Sequence, residues 1–554
     1  MSRVPFSVRR LTLLLLVLLA AALTFDDLVV PFYSGTPQPI DENMQDTGAI
    51  LTVTRELLNG RMLYEQIFTP YGPIPHGIYE AMAWVFGNTA LTYAGYVALL
   101  SAVALALEFI VVRRYLSLPL ALGFYILVLS HFTRISIIYA NCETIGIFLL
   151  ALFWRPIAER TTARCVLYGV ILAFLHFSKF GADVLAAAAL VLLDILQCLR
   201  SSQKAQTLRS AFGLGLIVVM TLLVIAFIGT FPLIHRLSPE VTKDVLLPLY
   251  LKSGYAFVKP EYRYPYYLGI LYFTKIHLPM LLGLAASLGS LAALLVGRNF
   301  MQRTSGPPDK RGDGFPYPLL IPPLYFIFAS FVFLKSAWHF NQYGIYAAFG
   351  ISVALCAFGP IIRKATLILL LPYLLVAFVA WVKVPLGIRP APDVEKLNTP
   401  VGEVLSGPPD LVHFYQRSFS AIDDEIAFSG HTSNIAVLTN RPGIYLFSGH
   451  GVVGRVPWYF PGWLRPWEED TAKRAFAQAG AVVLGVPPRP LPGVRPDPQD
   501  IARSLGILFS PQMAEFLGEH LTHPIYIGVD PSAKDVAVWA FAIAPQGPAG
   551  PQSP

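Results

Sequence analysis

Cysteine is scarce in this chain: four in 554 residues, Cys142, Cys165, Cys198 and Cys356. All four lie in or beside apolar runs, which excludes a disulfide framework in the stretch 385–554. Charge is scarce too, at 14% of residues against 55% hydrophobic, with a mean hydropathy of +0.56. So little polar surface excludes an ordinary soluble protein of this length. No CxxC, HExxH, GxSxG, P-loop or GxGxxG stands in a credible context, so thiol redox chemistry, zinc proteolysis and nucleotide binding have no carrier. The histidines lack metal-ligand spacing. Nor is the net charge of +7 spread evenly. Residues 385–554 hold 12 Lys and Arg against 16 Asp and Glu, while the remainder holds 29 against 18. The basic excess therefore belongs to the apolar part, which argues against a nucleic-acid partner.

What the chain has in quantity is long apolar runs. About eleven approach the ~20 residues needed to cross a bilayer: 11–25, 89–112, 116–130, 135–153, 165–178, 181–199, 211–234, 277–297, 317–334, 343–361 and 366–384. The first follows Arg9 and Arg10 and lacks a clear small-residue cleavage site, so it reads as a retained anchor. One set of short loops carries Arg113/Arg114, Arg155/Arg160/Arg164, Arg200/Lys204/Arg209, Arg298/Arg303/Lys310/Arg311 and Arg363/Lys364. The opposite short loops hold one cation each, Arg134, Lys179 and Lys335. The positive-inside rule then places the N-terminus in the cytoplasm, and the loop 26–88, the loop 235–276 and the C-terminal end outside.

The predicted fold is a polytopic α-helical membrane protein with amphipathic helices in its first outer loop. A transmembrane domain, 1–384, precedes a small extracytoplasmic α/β domain, 385–554. In the latter, Ile435–Leu438, Ala481–Val486, Ile525–Val529 and Val536–Phe541 read as strands, and Thr471–Gln478 and Gln512–His520 as helices. Residues 298–316 read as a flexible inner linker.

Chemistry concentrates in the first outer loop. Ile50, Leu51, Val53, Leu57 and Leu58 recur at helical spacing opposite Arg55 and Glu56, the pattern of a helix lying on a membrane surface. Asp46 stands at its mouth, where an N-terminal dipole can hold a carboxylate ionised; an N-cap is the lesser reading of the same residue. A Pro/Gly-rich turn, Thr69 to His76, looks too broken for regular structure. Asp41 and Glu42 with Asp46 could hold a divalent ion, although solvation of the loop is the favoured role and no cofactor is expected.

Asp46-x-Gly48, the string LLNG ending fourteen residues after Asp46, LY at Leu63-Tyr64, and Pro70-Tyr71-Gly72-Pro73 together resemble the first outer loop of the GT-C glycosyltransferases. The nearest resemblance is to the bacterial branch related to protein mannosyltransferases and lipid A aminoarabinose transferases. That implies a multi-pass enzyme of the bacterial cytoplasmic membrane. It would take a sugar from a polyprenyl-phosphate donor and pass it to a lipid, glycan or protein acceptor outside, with Asp46 as the catalytic carboxylate. Many relatives carry a second Asp near the PYGP segment; here Gln66 holds that place, with Glu65 beside it. Glu65, Tyr71 and His76 are the substrate-binding candidates within the loop.

The other candidates are cations. His131-Phe132-Thr133-Arg134 and His176-Phe177-Ser178-Lys179 are near copies, and Lys335 to His339 reverses the order. Such residues either snorkel to headgroups or cradle the donor phosphate. Arg134, Lys179, Lys335 and His339 are the candidate cradle. Arg263, in the aromatic loop 235–276, joins them as a substrate-binding candidate where tyrosines could stack on sugar or form an interfacial belt. The alternative function is a transporter or flippase of lipid-linked glycans, which calls for charges inside spans.

Overall fold

In the computed structural model the described residues are 44–69, 71–115, 138–179, 181–200, 204–234, 237–246, 317–333, 395–439, 441–457, 464–486, 495–530 and 533–544, with a few more between 13 and 21 and between 118 and 125. Two helices lie in the first loop, α1 (Met44–Leu58) and α2 (Pro73–Phe86). The turn expected to be irregular becomes helical at Pro73, with Gly72 as the extended residue before it. Pro is tolerated in a first turn because the N–H it lacks has no intrahelical partner there.

The apolar helices follow: α3 (Ala90–Arg113), α4 (Ile138–Phe153), α5 (Thr162–Ser178), α6 (Ala182–Arg200), α7 (Lys204–Ile234), the short α8 (Pro239–Leu246) and α9 (Ile321–Phe333). Among the described residues three stretches are long and apolar enough to cross a membrane: Ala90–Arg113, Ala182–Leu199 and Gln206–Gly229. Three more expected spans, 135–153, 165–178 and 317–334, fall on apolar helices of 16, 17 and 13 residues. The spans expected at 277–297, 343–361 and 366–384 lie outside the described residues. Along α7, Phe212, Leu216, Leu223, Phe227 and Ile228 are all more than half exposed. A face of that size has no place in water and fits a hydrocarbon solvent.

Beyond residue 394 the chain forms a hairpin, β1 (Glu395–Asn398) with β2 (Val404–Gly407), and then helix α10 (Pro409–Ser429). There follow β3 (Ile435–Leu438), α11 (Gly443–Ser448), α12 (Glu469–Phe476), β4 (Ala481–Val486), α13 (Pro498–Leu508), α14 (Pro511–His520), β5 (Leu521–Asp530) and β6 (Ala533–Ile543). The sheet order is β3-β4-β6-β5, with β3 and β4 parallel and the other pairs antiparallel. All four expected strands and both expected helices are present. The helices α10, α11 and α13 and the β1–β2 hairpin are additional to those expectations. β4 is almost wholly buried, as an unbroken apolar run demands of a strand covered on both faces.

The chain divides into two compact units. One comprises Met1–Val30, Val97–Leu233 and Lys259–Ala391; the other comprises Pro31–Tyr96, Ile234–Val258 and Pro392–Pro554. The first unit has its core among α3 to α6 and α9, with Phe148, Leu172, Leu175, Leu193 and Tyr325 buried. In the second, first-loop and C-terminal residues share one core: Phe68 is buried among Ala436, Val453, Phe476 and Val482. This corrects the reading of α1 as a helix on a membrane surface. Its apolar residues Ile50, Leu51 and Val53 are buried, and so are Thr52, Thr54 and Glu56. Protein rather than lipid surrounds these residues, with α2 and α11 both packed against α1.

Candidate active site in the first loop

Asp46 lies in the first described turn of α1, after two residues that are already helical. An N-cap has non-helical backbone angles, so the plain capping role is excluded.

The chain leaves α1 through a tight turn whose arginines do most of the fixing. Arg61 pairs with Glu56 at 3.1 Å and also donates to the carbonyls of Val452, Gln66 and Gly454. Tyr64 is buried in the left-handed backbone region at φ 66°, its hydroxyl donating to Tyr71 O at 2.7 Å. Arg455 reaches back from the C-terminal part and donates to Tyr64 O at 2.8 Å. Its guanidinium lies 4.9 Å from the Phe68 ring centre and 5.2 Å from that of Trp467, and Glu468 neutralises it. Glu65 sits half-buried in this turn.

Tyr71 and His76 are brought together through Thr69. The Thr69 hydroxyl accepts from Tyr71 N at 3.3 Å and lies 3.1 Å from His76 Nε2. His76 is fully enclosed, and burial lowers its pKa to about 4. It is therefore neutral at physiological pH, a hydrogen-bonding group rather than a cation for phosphate. Sequence reasoning missed the neighbours that hold this corner. Tyr79 stacks on Tyr96 and meets Tyr93 edge-on, both at 5.5 Å, while Tyr96 donates to Pro75 O at 3.0 Å. Asn88 accepts from the Tyr79 hydroxyl at 2.8 Å and donates to Leu51 O at 3.0 Å, tying α2 to α1. The 93/96 spacing, one helical turn, was the available signal.

Lys179 belongs to the other unit. It caps the C-terminal end of α5, and its Nζ lies 2.7 Å from Glu143 Oε2 on α4. Tyr325 from α9 donates to the other Glu143 oxygen. Lys179 is only 4% exposed, so it does not snorkel to headgroups, and the interfacial-anchor reading is overturned for this residue. Its companion His176 lies 3.2 Å from Asp183 Oδ2. Arg134, Arg263, Lys335 and His339 lie outside the described residues. Among the described residues no three His, Cys, Asp or Glu side chains gather as a metal ion would require.

No family model and no curated protein matches the sequence. Among solved structures, the chain is similar to the oligosaccharyltransferase AglB of the archaeon Archaeoglobus fulgidus in complex with an inhibitory peptide and a dolichol-phosphate. The TM-score is 0.50 at 12% identity, over 98% of this chain and 76% of that one. The chain has the GT-C fold. A weaker likeness, at a TM-score of 0.37 and 11% identity over 97% of this chain and 99% of the other, is to ArnT from Cupriavidus metallidurans bound to undecaprenyl phosphate. At 12% identity the likeness to AglB speaks for the fold and not for an activity.

The buried imidazole makes this fold acid-sensitive at one defined place. With a pKa near 4 in the folded chain against 6.5 when unfolded, His76 contributes stability that is complete above pH 6.5 and is lost as pH falls toward 4. Its full size is about 3 kcal/mol. His76→Gln is expected to lose less thermal stability than the parent between pH 7 and pH 4. Equal losses in the two proteins would show that His76 is not what titrates.

Proposed function

We propose that the chain is an integral-membrane glycosyltransferase. In this reading it moves a hexosyl or pentosyl group from a polyprenyl-phosphate donor to a lipid, glycan or protein acceptor, outside a bacterial cytoplasmic membrane. The observation that supports it is the near whole-chain fold likeness to an oligosaccharyltransferase solved with dolichol-phosphate. The orientation follows the loop charges, with the N-terminus cytoplasmic and the C-terminal sheet outside.

In the proposed reaction an acceptor hydroxyl or amine attacks the anomeric carbon while the Asp46 carboxylate takes its proton. The bond from that carbon to the phosphate oxygen breaks, and its electron pair leaves with the phosphate. One displacement inverts the centre. The leaving phosphate is a stable anion, so fixed cations suffice to stabilise it and no general acid is needed. Lys179 is assigned to it, together with Arg134, Arg263, Lys335 and His339. Glu65, Tyr71 and the neutral His76 are assigned to the sugar or acceptor as hydrogen-bonding groups.

A transporter reading rests on one observation. Glu108, within α3, is completely buried, and neither of its carboxylate oxygens has a partner among the described residues. Purified protein in proteoliposomes, given a panel of polyprenyl-phosphate sugars and candidate acceptors, separates the two. Transfer with inversion is the expected result. Movement of the lipid-linked sugar across the bilayer with its phosphate bond intact would replace the enzyme by a transporter.

A further inference from the structure

We infer that the C-terminal sheet domain is a positioning device for Asp46, acting through the face of α1 that carries Gly48, Thr52 and Arg55. The inference rests on the proposed role of Asp46. Those three positions, four and then three residues apart, share one side of the helix. Each meets the same short stretch of the C-terminal domain. At Gly48 an added Cβ would lie 2.4 Å from Gly443 N and 2.7 Å from Gly443 Cα. Backbone stands directly against backbone there, so no side-chain adjustment could make room. One turn on, the Thr52 hydroxyl donates to Pro442 O at 3.1 Å. Arg55 then donates to Tyr445 O at 2.7 Å and to His450 O at 2.6 Å, taking the carbonyl of a helical residue and that of the loop beyond it with one fork.

The receiving stretch is itself anchored to the sheet. Arg441, just before Pro442, is completely buried, and its Nη2 lies 2.9 Å from Asp530 Oδ1 at the end of β5. Force on the first turn of α1 is therefore borne by the sheet through Gly443 and Arg441. Two further bonds tie neighbouring parts of the loop to the same domain: Phe68 N donates to Arg455 O at 2.8 Å, and Ala90 N, at the start of α3, donates to Glu403 Oε2 at 3.2 Å. The glycine of Asp46-x-Gly48 thus has a physical reason. It lets the helix come close enough to the domain to fix the backbone that carries Asp46.

The test uses the full-length protein reconstituted with donor and acceptor. Gly48→Ala must push the first turn of α1 away from Gly443, and a displacement of about 1 Å at a reacting group costs on the order of 10²-fold in rate. Expected are a loss of that order in kcat, an unchanged donor KM, and a shifted acid limb of the kcat–pH profile. Arg55→Met should behave similarly, and Arg55→Lys, which keeps one carbonyl bond, should recover part of the rate. A merely structural role would lower the thermal midpoint and the active fraction, leaving the acid limb and the kcat of the active molecules unchanged. That outcome would overturn the inference. If Gly48→Ala does not fold, the Arg55 pair decides, and parental kcat in both Arg55 variants overturns it. Asp46→Asn, assayed alongside, separates the two levels. An inactive Asp46→Asn with a fully active Gly48→Ala sinks the positioning role alone. An active Asp46→Asn sinks the role of Asp46 and this inference with it.

Discussion

Asp46→Asn is expected to fold, to bind donor and to lose sugar transfer by about 10²–10⁴-fold, the usual cost of removing a general base. The substitution keeps the size of the side chain and removes its charge and its basicity. Were Asp46 only a helix cap, the loss would be about 1 kcal/mol of stability, with no effect on turnover at temperatures where the protein is folded. The backbone already argues against that role, since Met44 and Gln45 are helical before it. Donor binding, measured by competition with a non-transferable polyprenyl phosphate, should remain near the parental value. Near-normal turnover would move the search for the base to Glu65, half-buried in the turn that follows α1.

Lys179→Met is expected to destabilise the protein by about 3–5 kcal/mol, because it leaves Glu143 buried without its cation. Glu143 is 1% exposed and, among the described residues, then keeps the Tyr325 hydroxyl as its donor. Pairing Lys179→Met with Glu143→Gln should restore most of that loss, since both charges are then gone and the amide can still accept from Tyr325. Donor affinity tells the two roles of Lys179 apart. If Lys179 holds the lipid phosphate, the double variant is stable and still binds donor weakly. Parental donor affinity in the stable double variant would make the lysine a structural partner of Glu143 and leave the phosphate to other cations. Thermal midpoints and donor titrations on the same four proteins check both statements.

The local elements were largely legible in the sequence because they rest on local patterns. Short apolar runs bounded by turn residues mark the strands at Ile435–Leu438 and Ala481–Val486, since a run of that length suits a buried strand and is too short for a helix. Length and hydropathy mark α3, α6 and α7 for the same reason. Helix α10 was missed where local pattern misleads: Pro408 and Pro409 look like breakers, yet Pro at a first helical position starts a helix. The turn before α2 misled in the same way at Pro73.

What only the tertiary structure decided is which surface each amphipathic or charged residue meets. An apolar stripe at helical spacing is satisfied equally by a bilayer or by protein, so the stripe of α1 could not say that Ile50, Leu51 and Val53 would be buried within the protein. Arg55 finds its carbonyl acceptors 390 and 395 residues away, and Lys179 finds its carboxylate at a separation of 36. Nothing in the neighbourhood of Lys179 distinguishes a cation reaching for headgroups from one enclosed beside Glu143. Periodicity is a property of a few consecutive residues, whereas a hydrogen bond or ion pair across hundreds exists only once chain closure and packing have brought its two ends together.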